Sequence, residues 1–167
     1  MTEHDPDRYR PNVGLAMFHK TGLVFLGKRA GAEGTPYSWQ MPQGGMDAGE
    51  TPAIAAFREL QEETGVAAKH VRLLEELPDW LYYDVPAEAP GSARFRARRF
   101  AGQRQKWFAF RFHGRDSDIR LDAHTPEFSD WRWAPLDQAV DLVIPFKRAV
   151  YEEVARRFAK YASGGTA

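Results

Sequence analysis

No cysteine occurs in the 167-residue sequence. That removes a disulfide framework, a thiolate zinc site and a thiol nucleophile together, and it fits a reducing compartment. Net charge is missing as well: 23 Lys and Arg balance 23 Asp and Glu. No global field therefore draws the chain to nucleic acid or membrane, and any affinity for polyanions has to come from local clustering. No apolar run reaches the roughly 20 residues of a membrane span, and the opening "MTEHDPDRYR" carries acids where a signal peptide has its apolar core. The location expected is the cytoplasm. Internal repeats and low-complexity linkers are also lacking, so residues 9–162 read as one domain between flexible ends at 1–8 and 163–167.

What is present suits a packed core: 43% of residues are hydrophobic, with 11 Phe, 6 Tyr and 5 Trp to fill it. "VGLAMF" (Val13 to Phe18) and "LVFLGKR" (Leu23 to Arg29), separated by "HKTG", predict a hairpin. "WQMPQGG" leads into a helix capped by Thr51, started by Pro52 and closed by Gly65. "VRLLEEL", "WLYYDV", "QKWFAFRF" and "SDWRWAP" are strand candidates, and Phe146 to Ala162 is a second helix, with Val150, Val154 and Phe158 spaced by four. Val85 to Arg104 has no clear periodicity and reads as a long, mobile or functional loop. The order favours an α/β protein, a mixed sheet with a helix on each face.

The first helix contains "RELQEETG", residues 58–65. At about 100° per residue, Glu59, Glu62 and Glu63 share an arc of roughly 100°, while Ala53, Phe57, Leu60 and Thr64 form an apolar stripe on another face. An ordinary solvated face pairs its acids with bases three or four residues away. Here only Glu62 has such a neighbour, Arg58, and Ala55 and Ala56 are expected to leave space above the acids. A solvated face and a divalent-cation site both remain open; the all-oxygen donor set would suit Mg²⁺, Mn²⁺ or Ca²⁺ rather than zinc.

From Gly44 the chain runs "GGMDAGETPAIAAFRELQEETGV", placing Gly44, Glu50, Arg58, Glu59, Leu60, Glu62, Glu63, Gly65 and Val66 in one fixed frame. Those nine positions match the Nudix box, and the chain resembles the Nudix hydrolases, which cleave a nucleoside diphosphate linked to another group. "YRPNVGLAMF", "SWQMPQGG", "GQRQKWF", "TPEFSDWRW" and "FKRAVY" are similar to the bacterial branch of RNA pyrophosphohydrolases and dinucleoside polyphosphate hydrolases, over most of residues 9–151. The resemblance implies an α/β/α sandwich and Mg²⁺ or Mn²⁺ as cofactor. It places Glu59, Glu62, Glu63 and Glu127, with Gly44, at the metal, and Arg58 as the residue that orients the acids through an ion pair. Which glutamate acts as base stays open, and Glu50 reads equally as a helix N-terminal charge or as a catalytic group. Arg10, Arg29, Tyr83, Phe146 and Lys147 match positions that contact phosphates or bases in this branch. Each also has a plainer reading: Arg10 at a strand edge, Tyr83 in the core, Phe146 as an anchor for the last helix.

A separate observation is local charge. Arg94, Arg96, Arg98, Arg99, Arg104 and Lys106 fall between Ser92 and Lys106 with no acid among them. They form either a patch for polyphosphate or single-stranded RNA, or a solvated surface. The functions that follow are removal of pyrophosphate or phosphate from 5′-triphosphorylated RNA, cleavage of dinucleoside polyphosphates, or simple nucleotide binding. The intact acids disfavour the last.

Overall fold

The computed structural model describes residues 3–163. Twelve strands and helices follow one another along the chain. They are β1 (Tyr9–Phe18), β2 (Val24–Arg29), β3 (Trp39–Gln40), β4 (Gln43–Gly45), α1 (Pro52–Thr64), β5 (Val71–Glu76), β6 (Leu81–Asp84), α2 (Ser92–Ala97), β7 (Gly102–Phe112), β8 (Phe128–Ala134), α3 (Leu136–Leu142) and α4 (Arg148–Phe158). The strands join in one eight-stranded sheet with the central order β3-β2-β1-β7-β5; β4 also pairs with β1, β6 with β7 and β8 with β2. It is a mixed sheet because β1 and β7 run parallel, from Tyr9↔Gly102 to Phe18↔Arg111, while the other pairings are antiparallel.

Strand alternation explains the layers. Side chains two apart point to the same face, so Val13, Leu15 and Met17 of β1 join Phe108, Phe110 and Phe112 of β7 under α1, where Ala55, Ala56 and Leu60 complete one core. Ala16 and Phe18 join Trp107 and Ala109 on the opposite face, closed by Leu136 and Ala139 of α3 and Tyr151, Val154 and Phe158 of α4. With both faces covered, the central strands are buried almost throughout, and residues 13–18 of β1 and most of residues 107–112 of β7 are apolar to match. The result is the α/β/α sandwich expected.

The hairpin, the first helix and all four strand candidates are where the sequence places them, with ends shifted by a few residues. Thr51 accepts a hydrogen bond from the Ile54 N–H, and Gly65 ends α1 at φ 76°, the left-handed conformation that favours glycine. Three expectations need correction. The expected loop contains α2, and its last residues already belong to β7. The last helix is broken: Pro145–Lys147 and Ala159–Tyr161 are 3₁₀ turns flanking α4, the first because proline at its start sets a separate turn. Ala55 and Ala56 are fully buried core residues, so the space over the acids does not come from their small side chains.

Candidate active site

The acids of α1 reach the centre of the molecule because β4 lies against the helix. Gly44 sits so close to Glu59 that a Cβ there would overlap the carboxylate, and the Gln43 N–H donates to Glu63 Oε1 at 3.2 Å. Glu59 and Glu63 are buried, 9% and 5% exposed; an unpaired surface acid would stay in water. Glu62 is more open, at the rim.

Arg58 organises this cluster far more than helical spacing implies. Its guanidinium donates to Glu50 at 2.7 and 2.8 Å, to Glu59 at 2.8 Å, to Glu62 at 3.2 Å and to the Gly45 carbonyl at 2.9 Å. Glu50 also accepts from the Asp47 N–H, and the structure shows it as an anchor for Arg58, a role that neither of the two readings of it, helix-end charge or catalytic group, contained. The Arg58 hydrogen bonds hold Glu50 down to about 2. Burial raises Glu59 despite Arg58. Glu63 has no such guanidinium, and burial, with Glu59 and Glu127 nearby, pushes it well above the usual carboxylate range.

A cavity of about 660 Å³ opens over these acids. Glu59, Glu62, Glu63 and Glu127 line it together with Arg10 and Arg29, and Glu127 neighbours Arg29 across the β2–β8 pairing. A second cavity, of about 350 Å³, shares Arg29, Gln43 and Glu127 with the first and is walled by Tyr83, Phe146 and Lys147. Apart from Arg58, the site residues implied by the resemblance thus line two adjoining hollows. Tyr83 belongs to the core and to this wall at once, 5.8 Å from the Phe146 ring. Lys147 is buried, donates to Gln40 at 3.3 Å and to Gln43 at 2.9 Å, and is pushed down to about 7 by burial, with Arg29 adding to the effect and Glu63 opposing it.

Sequence reasoning missed the amides and the loop residues that complete the cavity: Asn12, Gln40, Gln43, Gln103, His124 and Thr125. Gln43, Gln103 and Gln105 form a buried network with Asn12 and Tyr83 behind Glu63. The signal for it was polar side chains inside otherwise apolar strands, at Asn12 and at the glutamines of "GQRQKWF".

Among the described residues no three acids or histidines already converge as a finished metal cage. The Arg58 guanidinium holds one oxygen each of Glu59 and Glu62. The donors nonetheless fit a hard divalent ion. All are carboxylates, and Glu63 is buried, repelled by its acidic neighbours and without a guanidinium partner, a condition that a cation relieves.

Known proteins are similar to this chain over most of its length. The NUDIX domain model matches residues 8–158. An RNA pyrophosphohydrolase of Nitrobacter winogradskyi is 49% identical over 97% of this chain and 96% of its own length. Another, of Acidiphilium cryptum, is 51% identical over 92% of both. Among solved structures, an Ap4A hydrolase of C. elegans shares the fold with a TM-score of 0.61 and 21% identity, over 89% of this chain and 98% of that one.

Proposed function

The chain belongs to the Nudix family, and from that premise we propose that it is a metal-dependent pyrophosphohydrolase that converts 5′-triphosphorylated RNA ends to 5′-monophosphates. The observation that carries the reading is the convergence, on one cavity, of the α1 carboxylates and Glu127 with Arg10 and Arg29. Acids for a cation and cations for a polyphosphate in one hollow are what phosphoanhydride hydrolysis requires. The choice of RNA is supported by relatives near half identity over nearly the whole chain, each called an RNA pyrophosphohydrolase. Among the described residues no helix is long and apolar enough to cross a membrane, and we place the activity in the cytoplasm.

Glu59, Glu62, Glu63 and Glu127 hold Mg²⁺ or Mn²⁺, with Gly44 giving the room against Glu59. When bound, the ion neutralises phosphate oxygens and lowers the pKa of water. Arg58 holds Glu59 and Glu62 in place from behind. Glu63 Oε1 is fixed by the Gln43 N–H, which leaves Oε2 for the cavity. Arg10, Arg29 and Lys147 receive phosphates, and the Phe146 and Tyr83 rings offer flat surfaces to a base. In Glu63→Gln we expect kcat to fall at least a hundredfold while the fold is retained; magnesium-dependent turnover near that of the parent would sink the site. Substrate is decided by kcat/KM on a 5′-triphosphorylated RNA beside dinucleoside polyphosphates, with products resolved. A hundredfold preference for the dinucleotide would replace the RNA reading.

A further inference from the structure

The basic stretch 92–106 does not form one surface. On β7, alternation separates Arg104 and Lys106 from Gln103 and Gln105. Arg104 lies over the Trp80 ring at 4.3 Å, and Lys106 donates to the Leu77 and Pro78 carbonyls and pairs with Glu76. Those two have structural work. Arg96 does too, since it ties α2 to the Ala87 carbonyl and to Ser92.

Arg94 and Arg98 differ. They are exposed, lie one helical turn apart on the same face of α2, and join none of the described ion pairs. Like charges at that spacing repel, and nothing on α2 offsets them. With Phe95, Phe100 and Arg10 they line a hollow of about 100 Å³. Arg10 also faces the large cavity, and Arg94 and Phe95 also line the Tyr83–Phe146 cavity. The three hollows are therefore neighbours, and α2 borders two of them. The helix closes on Arg99 at φ 63°, a left-handed position that glycine usually occupies, so α2 carries a further cation where backbone geometry favours none.

We propose that Arg94 and Arg98, with Phe95 between them, receive the phosphodiester backbone of the RNA downstream of the 5′ end held over the carboxylates. The hollow is too small for a nucleoside and is walled by cations, which suits a phosphate; the rings beside it accept stacking by any base. This deepens the RNA reading and rests on it. An RNA chain continues past its first nucleotides with further phosphodiesters and a dinucleoside polyphosphate does not, so phosphate contacts on α2 would favour the longer substrate.

The test separates binding from turnover. Fluorescence anisotropy with a 5′-hydroxyl RNA dodecamer, which carries no triphosphate, measures affinity against salt for the parent and for the Arg94→Ala/Arg98→Ala variant. Two lost contacts flatten the slope of log affinity against log salt by about 1.4, at about 0.7 per contact for single strands. The ratio of kcat/KM on a triphosphorylated dodecamer to that on a triphosphorylated dinucleotide falls severalfold in the same variant. Arg94→Lys/Arg98→Lys, which keeps the charge, restores the slope. An unaltered slope and ratio in the alanine variant, with its thermal unfolding preserved, would overturn the proposal, as would a lysine variant that behaves like the alanine one. If the dodecamer binds through these arginines but the triphosphorylated form is not hydrolysed, the surface stands and the RNA pyrophosphohydrolase reading falls.

Discussion

Gly44 shows how one missing atom shapes the site. Its backbone lies where any side chain would meet the Glu59 carboxylate, and neither β4 nor α1 is free to back away, because β4 is hydrogen-bonded to β1 through Val13↔Gly44 and α1 is packed on the core. In Gly44→Ala the carboxylate has to turn aside, since it is the most easily moved group in contact. Glu59 would then leave the Arg58 guanidinium. We expect kcat to drop by more than tenfold, in line with the cost of misplacing a catalytic group by about 1 Å, with the overall fold retained. Activity assays beside circular dichroism check this, and parental activity would show that the close approach has no part in the chemistry.

Among the elements, α1 was the most legible because its signals agree: a capping threonine, a proline at the first position, a glycine at the end and acids on one arc. The cap can be tested alone. Thr51→Ala removes the hydrogen bond to Ile54 and should cost about 1 kcal/mol, a fall of about 3 °C in Tm for a chain of this size. A change below half a degree would mean that the proline and the core fix the helix start without the cap. What helical spacing concealed is the role of Arg58, whose bonds to Glu50 and Gly45 come from chain looping back before the helix. No rule about three or four residues finds a partner eight positions earlier. The helices α2 and α3, at six and seven residues, are shorter than the window in which a helical period can be seen. The site was legible as a set of acids and cations. Its amide layer was not, because Gln103 falls in the stretch that reads as a loop and Gln105 opens a strand whose two covered faces only the sandwich shows.

At the scale of the whole molecule, the buried Glu63 and Lys147 make the metal-free protein sensitive to pH in opposite directions. Glu63 titrates natively well above its unfolded value of about 4.3. Between those values the native state holds a proton the unfolded state has lost, so stability falls as pH rises. Lys147 titrates natively at about 7, below its unfolded value of about 10.4. Across that interval the unfolded state holds the extra proton, and stability rises with pH. Thermal unfolding in the presence of a chelator should therefore pass through a minimum near neutrality. Glu63→Gln should shorten the descending limb, to which the raised Glu59 also contributes, and Lys147→Met should flatten the ascending one. A parent curve without that minimum would mean that the two groups titrate as they do in water.

The parallel pairing of β1 with β7 has a consequence for the order in which the molecule comes into being. Tyr9 meets Gly102 and Phe18 meets Arg111, so the first strand made waits for some ninety residues of further synthesis before its longest partner exists. Until β7 leaves the ribosome, both faces of β1 lack the aromatic side chains of Trp107, Phe108 and Phe110 that cover them. Contacts this distant in sequence form slowly, because a long loop has to close before they stabilise anything. The growing chain therefore carries its complete set of box glutamates for much of its synthesis without the sheet that buries Glu63, and competence to hold a metal arrives late, with the folding of the second half.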